Sequence, residues 1–258
     1  AKLLGEGQDV QSGLPDRLPA MIVAVCKRGY AMTDSFRIVS VQIGACRSFL
    51  KDGDPDRPWI SAIEKNVVAG PVLTSELGLE GDEQADKVHH GGIDKAVLGY
   101  CESHYSFWEK EFSETKWGSG AFGENLTLSG MLESEVCIGD VFECQSANAD
   151  GLRLQVSQPR EPCWKLSQRW GLPKLAVRVQ ATRRTGWYMR VLHSGKVQAG
   201  QTLKLIQRPH PEFTVDVANN ILFAKPRDAM ADLRLAGCQS LSEAWKENLI
   251  RRSAKHVS

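Results

Sequence analysis

Apolar and polar positions alternate along much of the chain up to about residue 206, the pattern of strands with one face buried. Phe36–Gly44 runs Phe-Arg-Ile-Val-Ser-Val-Gln-Ile-Gly and predicts the first of them. Shorter strands are predicted at Ala62–Ile63, Val72–Thr74, Lys95–Tyr100, Val141–Cys144, Leu152–Ser157, Gly186–Leu192 and Thr202–Ile206. Many short strands separated by Gly and Pro argue for a mainly β, barrel-like fold. Helical spacing interrupts the series at Glu102–Phe112, where Tyr105, Trp108 and Phe112 share one face. It recurs at Pro162–Gln168 and at Pro173–Thr182, where Leu175, Val179 and Thr182 lie on one side.

After Arg208 the pattern changes. Pro209-His210-Pro211 is a breaker, and three helices are predicted beyond it, at Thr214–Phe223, Pro226–Leu235 and Ser240–Ala254. Thr214 and Ser240 are candidate N-caps, Pro226 suits a first helical turn and Gly237 an end. Ala1–Pro19, rich in Gly, Asp, Gln and Pro, shows no periodicity. The predicted organisation is therefore a poorly ordered extension (1–35), a β-rich domain (36–208) and a small three-helix appendix (209–258) that packs on it.

Composition narrows the function classes. A net charge of +1 gives no reason to expect nucleic acid or a membrane surface as partner. No apolar run is long enough to span a bilayer. The seven cysteines are odd in number and none has C-x-x-C spacing, which suits a reducing, cytoplasmic setting better than a disulfide framework or a zinc ribbon.

Four segments could carry chemistry. Leu77–Gln84 (Leu-Gly-Leu-Glu-Gly-Asp-Glu-Gln) reads as a turn. His90–Val97 holds Gly91 and Gly92, whose amides could approach an anion, followed by Asp94 and Lys95. Gly118–Gly123 satisfies G-x-G-x-x-G, but a dinucleotide fingerprint needs a strand before it and a helix after it, and here a helix precedes. Val156–Cys163 (Val-Ser-Gln-Pro-Arg-Glu-Pro-Cys) ends a strand and places Cys163 in the first turn of a predicted helix. Helix amides, with Arg160 and Lys165 nearby, would favour a thiolate there. On residue types alone, a thiol hydrolase pairing Cys163 with His90 is also open. Cys137 and Cys144 in strand-like segments, and Cys238 in the appendix, are expected to be structural.

Taken together, residues 77–84, 90–97, 122–126 (Phe-Gly-Glu-Asn-Leu) and 156–163 resemble the MOSC family, named for the C-terminal domain of molybdenum cofactor sulfurases. Their order and the C-terminal helices are most similar to the bacterial YiiM-type branch with its 3-alpha domain. The sequence departs from that pattern at Ile93, Lys95 and Trp164, where proline, arginine and tyrosine are usual. The resemblance implies a β-barrel-like domain holding a molybdenum cofactor (molybdopterin), with Cys163 as the metal's thiolate ligand. It implies an oxidoreductase that reduces N-hydroxylated compounds, such as 6-hydroxylaminopurine-type base analogues, and so detoxifies them. Gly91, Gly92, Lys95, Asn125, Ser157 and Arg160 are then expected to bind the cofactor, and His90, Asp94 and Glu124 to orient substrate or supply protons. With no flavin, haem or iron–sulfur signature, the small-molecule substrate would receive electrons through a separate reductase protein. No lysine motif for pyridoxal phosphate is present, which argues against that cofactor. Two other roles remain open: a sulfur carrier or cofactor-delivery module with a Cys163 persulfide, and a non-catalytic interaction protein.

Overall fold

The computed structural model describes residues 35–86, 91–145 and 151–255. Seven strands close into a barrel. In spatial order they are β13 (Thr202–Gln207), β9 (Val141–Gln145), β10 (Arg153–Pro159), β11 (Trp187–His193), β7 (Val97–Cys101), β8 (Leu126–Leu128) and β1 (Ser35–Ile43), with β1 pairing back to β13. Every neighbouring pair is antiparallel except β7 and β8, which run parallel. Closure leaves no free edge among these strands, which suits a sheet of short segments. β4 (Asn66–Val67) adds to the far end of β1. Outside the barrel lie the hairpin of β2 (Arg47–Lys51) and β3 (Asp54–Ser61), and a small sheet of β5 (Val72–Ser75), β6 (Gly78–Leu79) and β12 (Gly195–Val197).

β1 shows how the sequence pattern becomes structure. Phe36 and Ile38 point inward and their neighbours outward, as the alternation predicts. The pairing with β8 then slips by one residue between Ile38 and Ser40, a bulge that leaves Ser40, Val41 and Gln42 all buried. On β11, Gly186 precedes the strand with φ +71°, and a Cβ there would stand 2.4 Å from the Gly99 carbonyl oxygen of β7. Only glycine lets these two strands meet.

The helices sit close to prediction, with instructive shifts. α1 (Ser103–Glu111), α2 (Trp164–Trp170) and α3 (Leu175–Thr182) bring Trp108, Leu166, Leu175 and Val179 into one apolar cluster with Tyr100, Trp117 and Phe122. α4 (Val215–Phe223) starts at Thr214, whose hydroxyl accepts from the Val217 amide. α5 (Ala229–Ala236) is capped by Asp228 rather than opened by Pro226, because the carboxylate accepts from the Met230 and Ala231 amides. α6 (Glu243–Ala254) is capped by Ser242, not Ser240. The Cys238–Leu241 turn buries Leu241 in the core and delays the helix by one step.

Val215, Ala218, Leu235, Trp245 and Leu249 of the C-terminal helices share the barrel's own hydrophobic cluster. Three predicted strand positions are corrected. Ala62–Ile63 is not a strand, since the Ile63 amide bonds to the Ser61 hydroxyl and turns the chain just after β3. Ile93–Lys95 forms a 3-10 turn, so β7 begins at Val97. Cys137 lies outside the named strands, in an isolated bridge with Thr214.

Candidate functional site

The connection from β10 to α2 carries the residues of greatest interest. β10 ends at Pro159 beside Trp187 of β11, and the Arg160 amide makes one further bond to the Gly186 carbonyl. Cys163 is the N-cap of α2, extended at φ −113° and ψ 171°, with its carbonyl accepting from the Leu166 amide. It therefore stands one residue before the helical turn in which the sequence placed it. α2 has only seven residues, so its dipole adds little.

Other bonds fix α2 in space. Arg169 Nη1 donates to the carbonyls of Ile63 (2.8 Å), Gly120 (2.6 Å) and Ala121 (3.0 Å). Trp170 Nε1 also donates to Ala121, at 2.9 Å. The helix thus ties together two neighbouring segments, whose residues 61–63 and 122–123 line one cleft. The cleft encloses about 690 Å³ including its open mouth.

Cys163, Arg160, Lys95 and Asn125 all line this cleft. Arg160 is buried at 5% exposure; its Nη2 donates to the Phe122 carbonyl, while Nη1 has no hydrogen-bond partner among the described residues. A buried guanidinium with an idle donor is costly unless an anion completes it. Partial burial lowers the pKa of the Lys95 ammonium, against the opposing pull of Glu161, Asp86 and Asp94. Tyr188, also on the lining, has its phenol raised by burial, in part offset by Arg160.

Sequence reasoning did not single out a further pair on the lining, Lys65 and Asp82. Lys65 Nζ contacts both Asp82 oxygens, at 2.5 and 2.6 Å, with both side chains under a tenth exposed. Desolvation lowers the Lys65 pKa, and the Asp82 carboxylate pulls the other way. Asp82 also accepts from the Gly44 amide (2.7 Å) and from Asn125 Nδ2 (2.9 Å), and Asn125 Oδ1 in turn accepts from the Leu98 amide (3.1 Å). Asp82 looked like a turn residue because its partner lies seventeen positions away.

Gly91, Gly92, Asp94, Glu124 and Ser157 do not line the cleft. Glu124 is fully buried; its oxygens accept from the Gly120 and Phe122 amides at 2.7 and 2.9 Å and from the Tyr105 hydroxyl. It closes the 120–124 loop, where Gly120 has φ +86° and a Cβ would approach the Lys65 carbonyl to 2.9 Å. The Ser157 hydroxyl sits between the carbonyls of Asp94 (2.5 Å) and Tyr188 (3.0 Å). The Asp94 carboxylate pairs with Arg190. Gly91 is buried, and exposed Gly92, at φ +92°, leads into the 3-10 turn that ends at Lys95. His90 lies outside the described residues. The G-x-G-x-x-G segment falls between α1 and β8, so no strand precedes it and no helix follows it.

The MOSC domain model matches residues 86–204, the stretch that supplies Lys95, Asn125, Arg160 and Cys163. Protein YiiM of Escherichia coli is 40% identical over 194 residues, covering 74% of this chain and 84% of YiiM. The chain belongs to the MOSC family. A crystal structure of YiiM from Geobacillus stearothermophilus shares the fold with a TM-score of 0.70 at 31% identity, over 84% of this chain and 99% of that one. A Gibberella moniliformis protein named a reductase is 38% identical over 189 residues, 72% of this chain but 32% of that protein. This chain is thus a MOSC protein of the YiiM type, and a MOSC-type molybdenum-cofactor-binding function goes with that membership.

The residues present fit such a group. A cysteine on the lining, Cys163, can supply the thiolate sulfur that a transition metal takes as a ligand. The idle Nη1 of buried Arg160 suits the phosphate of a pterin cofactor, which a planar guanidinium fork can grip. No helix among the described residues is long and apolar enough to cross a membrane.

Proposed function

We propose that this MOSC protein is a cytoplasmic molybdenum-cofactor reductase of N-hydroxylated compounds, 6-hydroxylaminopurine-type bases among them, that detoxifies its substrates. The observation that carries this reading is the meeting of Cys163 with buried, half-satisfied Arg160 in one cleft. When bound, the molybdenum cofactor supplies the two-electron redox couple.

The chain's residues then divide the remaining work. Cys163 holds the metal. Arg160, Lys95 and Lys65 offer the cations that an anionic cofactor needs, and Asn125 and Asp82 present a fixed polar wall. Gly91 and Gly92 let the backbone approach, and Ser157 fixes the loop that carries Lys95. Protons for the departing hydroxyl would come through His90, with Asp94 and Glu124 acting through the turn and the loop they hold. Residues 36–208 would form the cofactor domain and 209–258 a 3-alpha domain. A separate reductase protein would supply electrons.

Elemental analysis tests the reading. Protein from a cofactor-competent host is expected to carry near-stoichiometric molybdenum, and Cys163→Ala to carry none while melting as cofactor-free wild type does. Metal-loaded wild type, supplied with a chemical electron donor such as dithionite, should then convert N-hydroxylated purines to the amines and water. Wild type without molybdenum, from a host that loads a control molybdoenzyme, would sink the reading.

A further inference from the structure

Arg190 has no place in the cleft, yet it joins three separate parts of the chain. Its side chain rises from β11 with 19% exposure. Nε and Nη2 reach Asp94 Oδ1 at 2.8 and 2.7 Å. Nη1 donates to Gln155 Oε1 of β10 at 2.8 Å and to the Ser240 carbonyl, just before α6, at 3.0 Å. Gln155 is its register partner across the sheet, so the guanidinium is braced by the barrel itself.

A second bond runs alongside. The Ser242 amide, at the N-cap of α6, donates to the Ser157 carbonyl at 3.0 Å, while the Ser157 hydroxyl faces the Asp94 carbonyl. Asp94 immediately precedes Lys95 in the 3-10 turn, and Lys95 lines the cleft. The turn is short: the Lys95 amide donates to the Gly92 carbonyl at 2.9 Å, and exposed Ile93 gives it no apolar anchor. Buried Ala96 anchors the end of the turn, and the polar contacts of Asp94 hold its middle.

We infer that Arg190 is a positioning residue, a clasp through which the segment leading into the last helix holds the 92–95 turn and sets Lys95 in the cleft. The physical basis is a planar fork that meets a carboxylate on one side and two fixed oxygens on the other. Lysine has a single ammonium and cannot span all three. The charge on Asp94 needs a partner at 25% exposure, so losing the clasp leaves a partly desolvated carboxylate that drives the turn outward. The inference rests on the cofactor reading only for what the cleft holds, not for the clasp itself.

Hydrogen–deuterium exchange decides the clasp and metal retention decides what it serves. In Arg190→Gln, amides of residues 92–96 and 239–243 are expected to exchange roughly ten- to a hundredfold faster, with the strands of the barrel unchanged. Arg190→Lys should fall between. Asp94→Asn should reproduce the effect, and the double variant should add little to either single one. In parallel, molybdenum should leave Arg190→Gln faster on prolonged dialysis than it leaves wild type. Unchanged exchange at 92–96, or equal acceleration throughout the protein, would overturn the clasp and leave Arg190 a merely structural residue. Local acceleration in a protein that binds no molybdenum even as wild type would keep the clasp and reject the cofactor reading.

Discussion

Glu124 shows how one residue can be typed correctly and still be given a different task by its surroundings. A carboxylate in Phe-Gly-Glu-Asn-Leu invites a proton-transfer role, but both of its oxygens are engaged by loop donors. Glu124→Gln would turn an amide toward the Gly120 or Phe122 N–H and lose a charge-assisted bond, so it should cost about 2–3 kcal/mol of stability. Urea unfolding measures this; an unchanged midpoint would mean that the carboxylate is free for chemistry. Cys163 contrasts with the other cysteines. Burial raises the thiol pKa of Cys101 and Cys238, and takes Cys144 to about 11, so these behave as small apolar groups. Cys163 lines a cleft that also contains cations.

At the scale of elements, the helix caps follow from side-chain chemistry more closely than from helix propensity. Ser242→Ala should cost about 1 kcal/mol through loss of its bond to the Trp245 amide, whereas Ser240→Ala should leave stability unchanged. Equal losses in thermal melts would refute the placement of the cap. The three C-terminal helices are joined by Arg252 of α6, which pairs with buried Asp232 of α5 and donates to the Ile221 and Leu222 carbonyls of α4. Arg252→Met strands the Asp232 charge and should destabilise by about 3–5 kcal/mol. Arg252→Met with Asp232→Leu should recover much of the loss, because the uncompensated charge is then gone too. Chemical denaturation of the single and double variants checks both statements. The predicted alternation located most barrel strands to within two residues, while two-residue pairings such as β4 and β6 have no pattern long enough to read. The β2–β3 hairpin also went unpredicted, since both faces of Asp54–Pro58 are exposed and show no alternation.

For the whole molecule, burial sets the response to alkali. Tyr100, Tyr105 and Tyr188 all have phenols raised above their ordinary range, chiefly by desolvation. A raised folded pKa means that the unfolded chain releases protons first, so stability is full below about pH 10 and falls as pH rises above it. The raised thiols of Cys46, Cys101, Cys144 and Cys238 add a decline that begins near pH 8.5. Lys65 and Lys95, lowered by desolvation, act in the opposite direction over the interval between their folded pKa and about 10.4. With more groups raised than lowered, the melting temperature should fall through this range. Phenolate absorbance from these three tyrosines should appear only with unfolding. A phenolate signal for all four tyrosines near pH 10 in still-folded protein would contradict their burial.

The sequence by itself determined the class of most elements, the Thr214 cap and the family, because these depend on local periodicity, local capping chemistry and short motifs in order. It also brought forward Arg160, Lys95 and Asn125, which the barrel gathers around one cleft with Cys163. Tertiary structure alone decided that Lys65 and Asp82 join them, that Asp94 turns to Arg190, and that Glu124 is spent on its own loop. The reason is geometric. Barrel closure pairs Phe36 with Leu203, a contact that no local pattern encodes. Which polar side chains meet a partner, and which are left with an idle donor, is fixed only once that ring is complete.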